Sequence, residues 1–189
     1  MRGFDVEGVG VDASTEMIEV ARREAPAVEF QVGQAEALPF NDASFDAVVS
    51  RLVVHHLDRS RAFAEMQRVL RPGGRLVITT TDPDGFKTFW MQPYFPSYGS
   101  IERQRFPSGE ALRRELVDVG FREVRVAPFV LQRRFDRETA LEKLRGRAYS
   151  TFTLISDEEY EAGVAAAESQ LPDEIVYDLR LLNVVARRA

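Results

Sequence analysis

Residues 45–81 read FDAVVSRLVVHHLDRSRAFAEMQRVLRPGGRLVITTT, and the order of patterns within them decides the fold. Residues 45–50 form an apolar run, as expected of a strand covered on both faces. A helix is expected over about 60–70, because Ala62, Phe63, Met66, Val69 and Leu70 recur at helical spacing and make one apolar stripe. Pro72-Gly73-Gly74 ends it and turns the chain into a strand over 75–81. Parallel strands cannot be joined by a tight turn and need a crossover, usually a helix. Strand, helix, strand is therefore one parallel unit.

The same unit repeats upstream. An apolar run over 6–11 ends on Asp12, and Ser14 or Asp12 can cap the helix that follows, since their side-chain oxygens accept from free N–H groups. Met17, Ile18, Val20 and Ala21 suit one buried helical face, Pro26 ends that helix, and 28–32 is a short strand. Residues 38–42, Leu-Pro-Phe-Asn-Asp, form a loop. Alternation of strand and helix predicts an α/β fold with a three-layer, Rossmann-like sheet.

Downstream the texture changes. Residues 82–106 are rich in proline, glycine and aromatics, among them Trp90, Tyr94, Phe95 and Tyr98. A helix over 108–119, a strand over 121–129, helices over 137–148 and 157–171, and a closing strand over 175–186 follow.

The chain has 189 residues, 44% hydrophobic and 29% charged, which is one globular domain with a substantial core. A net charge of -5 argues against a nucleic-acid partner, whose footprint is normally basic. The pairs Arg133/Arg134 and Arg187/Arg188 have acidic neighbours and read as solvated surface. With no cysteine there is no disulfide framework and no thiolate metal site. No apolar run reaches the roughly 18–20 residues needed to span a bilayer, and no signal-peptide pattern opens the chain. The expected setting is cytoplasmic, with no membrane partner.

Asp12, at the carboxyl end of a strand, is the first functional candidate. Ligands of open α/β sheets sit outside those ends, and an acid there can accept both ribose hydroxyls of a nucleotide. An acid before a helix is also a common cap, so Asp12 alone leaves both readings open. His55 and His56, the only histidines, follow the strand over 45–50. Either can orient or deprotonate an acceptor, and either can pack in the helix. Adjacent residues seldom present both rings to one ion, so no metal site is expected.

Four motifs then occur in a fixed order. Val9-Gly10-Val11-Asp12-Ala13-Ser14 is followed by Met17-Ile18 and Ala21-Arg22; next come Gly33 to Phe40 (GQAEALPF), Ser44 to Ser50 (SFDAVVS), and Glu65 to Gly74 (EMQRVLRPGG). Together they resemble class I S-adenosylmethionine-dependent methyltransferases of the type 11 group, closely over about the first 80 residues. Gly120-Phe121 before a strand fits the same family.

The resemblance implies S-adenosylmethionine as cofactor and an antiparallel last strand. Asp12 would hold the ribose, with Ala13 and Ser14 lining the pocket and Met17 packing on the adenine, although Met17 is equally a core residue. Gln34, Ala35 and Glu36 would meet the adenine edge, with Gln34 standing where the family usually has Asp. Ser50, Arg51 and Leu52 would flank the methionine portion and the methyl group. His55 or His56 would serve the acceptor. The aromatic stretch 82–106 would be an apolar lid over a small molecule with hydrophobic or aromatic surface, a packed loop being the plainer reading. Together with 136–172 it is a substrate-side insertion. Tyr149-Ser150-Thr151-Phe152 is a further candidate contact.

The family's glycine-rich loop should precede Asp12 by about 20 residues, after a first strand that lies between the second and fourth. Here residues 1–5 read as the end of a first helix and its glycine cap, so the first strand and most of that helix are missing. The favoured expectation is that Met1 is an internal methionine of a longer protein. Otherwise the second and fourth strands close up to pair, or another chain supplies the strand. Two rival functions remain: a non-catalytic remnant that binds or scaffolds, and a nicotinamide-dependent oxidoreductase. Oligomeric state is not legible.

Overall fold

The computed structural model describes residues 7–189, so the helix end and cap read over residues 1–5, and Val6, lie outside the described residues. Strand β1 (Val9–Asp12), helix α1 (Thr15–Glu24) and strand β2 (Glu29–Val32) form the first crossover unit. Strand β3 (Phe45–Arg51), a 3-10 turn (Val54–His56), helix α2 (Arg59–Val69) and strand β4 (Leu70–Thr81) form the second. Then come a 3-10 turn (Pro83–Thr88), helices α3 (Tyr98–Arg105) and α4 (Gly109–Asp118), and strand β5 (Phe121–Asp136). Helix α5 (Arg137–Arg145), a 3-10 turn (Ser150–Thr153), helix α6 (Asp157–Gln170) and strand β6 (Glu174–Arg188) close the chain.

The α/β expectation holds, and the last strand is antiparallel to both its neighbours. The strands form two sheets: β1 pairs with β2 in parallel, and a four-stranded sheet runs β3-β4-β6-β5. β1 and β3 are each the edge of their sheet, and they do not pair with one another. The possibility that they close up is therefore not realised.

This changes the expected burial of β3. Val49 is 71% exposed and Ala47 is also open, so one face of that strand is bare rather than covered. Two bounds also differ. β4 begins at Leu70, pairing with Phe45 before a register shift, and Gly73 takes φ +77, which only glycine adopts cheaply. β5 continues to Asp136 as one side of a long hairpin with β6.

Two cores result. One lies under α2 and α4 on the four-stranded sheet and includes Phe63, Leu76, Ile78, Leu112, Leu116 and Phe121. The other joins the two stretches read as insertions: Phe86, Phe89, Trp90, Phe95, Tyr98 and Phe106 from the first pack on Leu141, Leu144 and Phe152 from the second. The aromatic stretch is thus a packed core rather than a lid. It also contains a helix, α3, where only a loop was expected.

Candidate functional site

A cleft of about 970 Å³ opens between the two sheets. Its walls are residues 9–14, residues 33–36 and residues 47–53, with His56, Asp58 and Arg61 at one side. The two facing sheet edges and the loops leaving their strands thus build a single site.

Asp12 is exposed at the end of β1, and its Oδ1 accepts from the Ser14 backbone N–H at 2.8 Å. Its other oxygen has no hydrogen-bond partner among the described residues. The helix cap itself is Ser14, whose hydroxyl accepts from Met17 N–H at 3.2 Å and donates to Glu16 at 2.7 Å. Asp12 therefore does not cap α1, and it keeps a free acceptor at the cleft wall. Met17 does neither thing proposed for it. It is 54% exposed, lines no part of the cleft and joins neither core, because only Ile18 of α1 is buried.

Gln34, Ala35 and Glu36 line the cleft, in a loop tied to α2. Glu36 accepts from the Asp58 backbone N–H at 2.9 Å and Glu65 accepts from that of Leu38 at 2.8 Å. Arg68 donates to the carbonyls of Leu38 and Phe40 at 3.1 and 2.7 Å and pairs with Glu65 and Asp42. Glu36 is thereby a tether of the loop, whereas Gln34 is exposed.

Ser50, Arg51 and Leu52 form the opposite wall. Ser50 is buried, and its hydroxyl has no partner. A buried hydroxyl without a hydrogen bond is costly, so this atom is suited to a ligand. Leu52 has φ 55, a backbone strain of the kind found at ligand sites, held by its N–H donating to the Thr79 carbonyl at 2.7 Å. An acid with a spare oxygen on one wall and an orphaned hydroxyl on the other fit a nucleoside carrying an amino-acid tail, as S-adenosylmethionine is.

The histidines separate. His56 lines the cleft, but His55 does not, correcting its placement at the chemistry. The His55 ring stacks on Phe106 at 3.9 Å with an 18° interplanar angle and touches His56, also at 3.9 Å. Its Nδ1 is buried without a partner. Burial, with smaller contributions from the charges of His56 and Arg105, lowers its pKa from 6.5 to about 3. The folded protein then binds fewer protons there than the unfolded chain does. The contribution of neutral His55 is complete above 6.5 and is lost as pH falls toward 3. A histidine NMR titration is expected to place one ring's midpoint near 3; two midpoints at 6.5 would contradict this burial.

Sequence reasoning missed Arg61 and Asp58, whose surface-helix texture gives no hint of a cleft. It also missed a buried polar cluster behind the histidines. Glu102 accepts from Arg105 and from Thr151, both at 2.6 Å. Tyr149 to Phe152 point into the second core and this cluster, away from the cleft. No helix among the described residues is long and apolar enough to cross a membrane.

The family model described as "Methyltransferase domain" matches residues 2–78. An O-methyltransferase, cnsE of Penicillium expansum, is 37% identical over 130 residues, 65% of this chain and 46% of that protein. The demethylmenaquinone methyltransferase of Renibacterium salmoninarum is 41% identical over 88 residues, 46% of this chain and 36% of that protein. The chain thus spans less than half the length of these curated relatives. A solved structure from Anabaena variabilis, described as a methyltransferase of an antibiotic biosynthesis pathway, superposes with a TM-score of 0.70 at 25% identity. It covers 93% of this chain and 80% of its own. Motifs, fold and relatives agree: the chain has the fold of the class I S-adenosylmethionine-dependent methyltransferases, and its residues 2–78 match a methyltransferase domain.

Proposed function

We propose that this protein transfers a methyl group from S-adenosylmethionine to a small-molecule acceptor. The observation that carries the reading is the cleft itself, with the spare oxygen of Asp12 on one wall and the orphaned Ser50 hydroxyl on the other. Asp12 would accept from the ribose hydroxyls, with Ala13 and Ser14 beside it. Gln34 and Ala35 would meet the adenine, and Ser50, Arg51 and Leu52 the amino-acid end.

When bound, the cofactor supplies an electrophilic methyl group on a positively charged sulfur. The residues of this chain contribute alignment and exclusion of water, which can account for most of the acceleration in a displacement of this kind. His56 takes the acceptor's proton where the acceptor carries one. The methyl donor would be held between Asp12 on one wall and Ser50, Arg51 and Leu52 on the other, facing the acceptor. An acceptor with apolar or aromatic surface is supported by Leu52, Val53 and Leu57 on that side of the cleft. We read residues 82–106 and 136–172 as one substrate-side elaboration, supported by the core they share.

The test is calorimetric titration of S-adenosylhomocysteine. Binding is expected, and Asp12→Ala should weaken it by about 1–3 kcal/mol through the lost hydrogen bonds. Undiminished affinity in the variant would place the ribose elsewhere, and no binding by the parent chain would remove the proposal.

A further inference from the structure

The Glu102–Arg105–Thr151 cluster is unexplained by the packing around it. Glu102 is 4% exposed and Thr151 1%, and the Arg105 side chain is 17% exposed. Taking an ion pair out of water seldom yields net stability over apolar residues of the same volume. Here it is satisfied in detail. Arg105 donates to Glu102 at 2.6 Å and to the Ser150 hydroxyl at 3.1 Å, and Thr151 donates to Glu102 at 2.6 Å. These bonds pin α3 to the 3-10 turn at Ser150–Thr153, so that both insertions meet at one polar point.

That point is joined to the site wall by two ring contacts, through Phe106 and His55 to His56. Phe106 follows Arg105, and its backbone N–H donates to the Glu102 carbonyl at 2.9 Å, which fixes where its ring stands. The ring of Phe106 carries His55 at 3.9 Å, and His55 carries His56 at 3.9 Å. An unbroken contact chain therefore runs from the buried ion pair to the histidine in the cleft.

We propose that Glu102 and Arg105 are positioning residues for the acceptor side of the site, holding His56 at the cleft wall, through Phe106 and His55, as the group that takes the acceptor's proton. The proposal rests on the methyltransferase reading given above for what His56 does, but not for where it is held. The charges also oppose one another at His56. Burial lowers its pKa first, then Arg105 lowers it further, while Glu102 raises it. His55 beside it is neutral, and Arg51, Asp58 and Arg61 share the cleft wall.

The experiment is an NMR titration of the histidine ring protons in the full chain, without cofactor, for the parent and the variants Glu102→Gln, Arg105→Met and Arg105→Lys. The His56 midpoint should fall in Glu102→Gln, rise in Arg105→Met, and stay near the parent in Arg105→Lys. Packing alone would not move it in opposite directions. Unchanged midpoints, or a common shift in both, overturn the proposal. Glutamine keeps the shape and an acceptor oxygen at 102, so that variant decides the matter even if Arg105→Met does not fold. The S-adenosylhomocysteine titration stands apart from this measurement: binding with immobile His56 midpoints sinks the positioning role alone, and absence of binding sinks the methyltransferase reading, with the proton-taking role of His56, but not the positioning.

Discussion

Phe95→Ala is expected to cost the protein about 3–5 kcal/mol, the range for deleting a large buried aromatic. Phe95 has no exposed surface and meets Phe152 at 5.1 Å and Tyr160 at 6.5 Å between ring centroids. Collapse cannot easily fill the space, because the facing helix presents Gly163, whose missing Cβ would stand 2.3 Å from the Phe95 ring. The cavity would thus persist, and cavity volume is what raises the cost above simple transfer. Urea unfolding monitored by tryptophan fluorescence is a suitable measurement, as Trp90 belongs to the same core. A loss below about 1 kcal/mol would mean that the second core is plastic and not the rigid support described above.

Arg68→Met should destabilise the fold by about 1.5–3 kcal/mol, the scale of hydrogen bonds made by a charged group. It should also weaken S-adenosylhomocysteine binding. The two effects have one cause. The guanidinium holds the carbonyls of Leu38 and Phe40 and pairs with Asp42, and the loop so held carries Gln34 and Ala35 into the cleft. Methionine keeps the aliphatic stem of the side chain and removes only the donors. Circular dichroism melting with calorimetry separates the outcomes. A lower melting temperature with unaltered affinity would show that the loop keeps its shape without Arg68.

Much of this was legible before any coordinates. Asp12 was readable as a cleft residue because a strand's carboxyl end shows where an apolar run stops, and ligands of open α/β sheets sit there. Ser50, Arg51 and Leu52, by contrast, came from the family resemblance alone. Met17 was misplaced for a physical reason: helical spacing shows which residues share a face, but not whether anything covers it. On α1 only Ile18 is buried. The bare face of β3 has the same origin, since Val49 reads as core in any run of its kind. His55 and His56 are indistinguishable as neighbours in sequence, and Phe106, 51 positions after His55 by its number, separates their roles. Glu102 left no signal at all. Its partner Thr151 lies 49 residues away, and a glutamate among polar neighbours looks like solvated surface.

Among the described residues the two sheets differ in how much apolar surface they bury. In residues 7–33 the single buried side chain is Ile18, whereas the four-stranded sheet carries a full core on α2 and α4. Segments with few buried contacts open first, at free energies well below that of global unfolding. A ligand held by Asp12 on one leaf and Ser50 on the other would act as a rivet, because it binds only when the leaves stand together. Its binding free energy would then be drawn upon to order β1, α1 and β2. Affinity measured for the cleft would be smaller than its contacts suggest, and the weaker leaf would gain protection that the stronger one does not need.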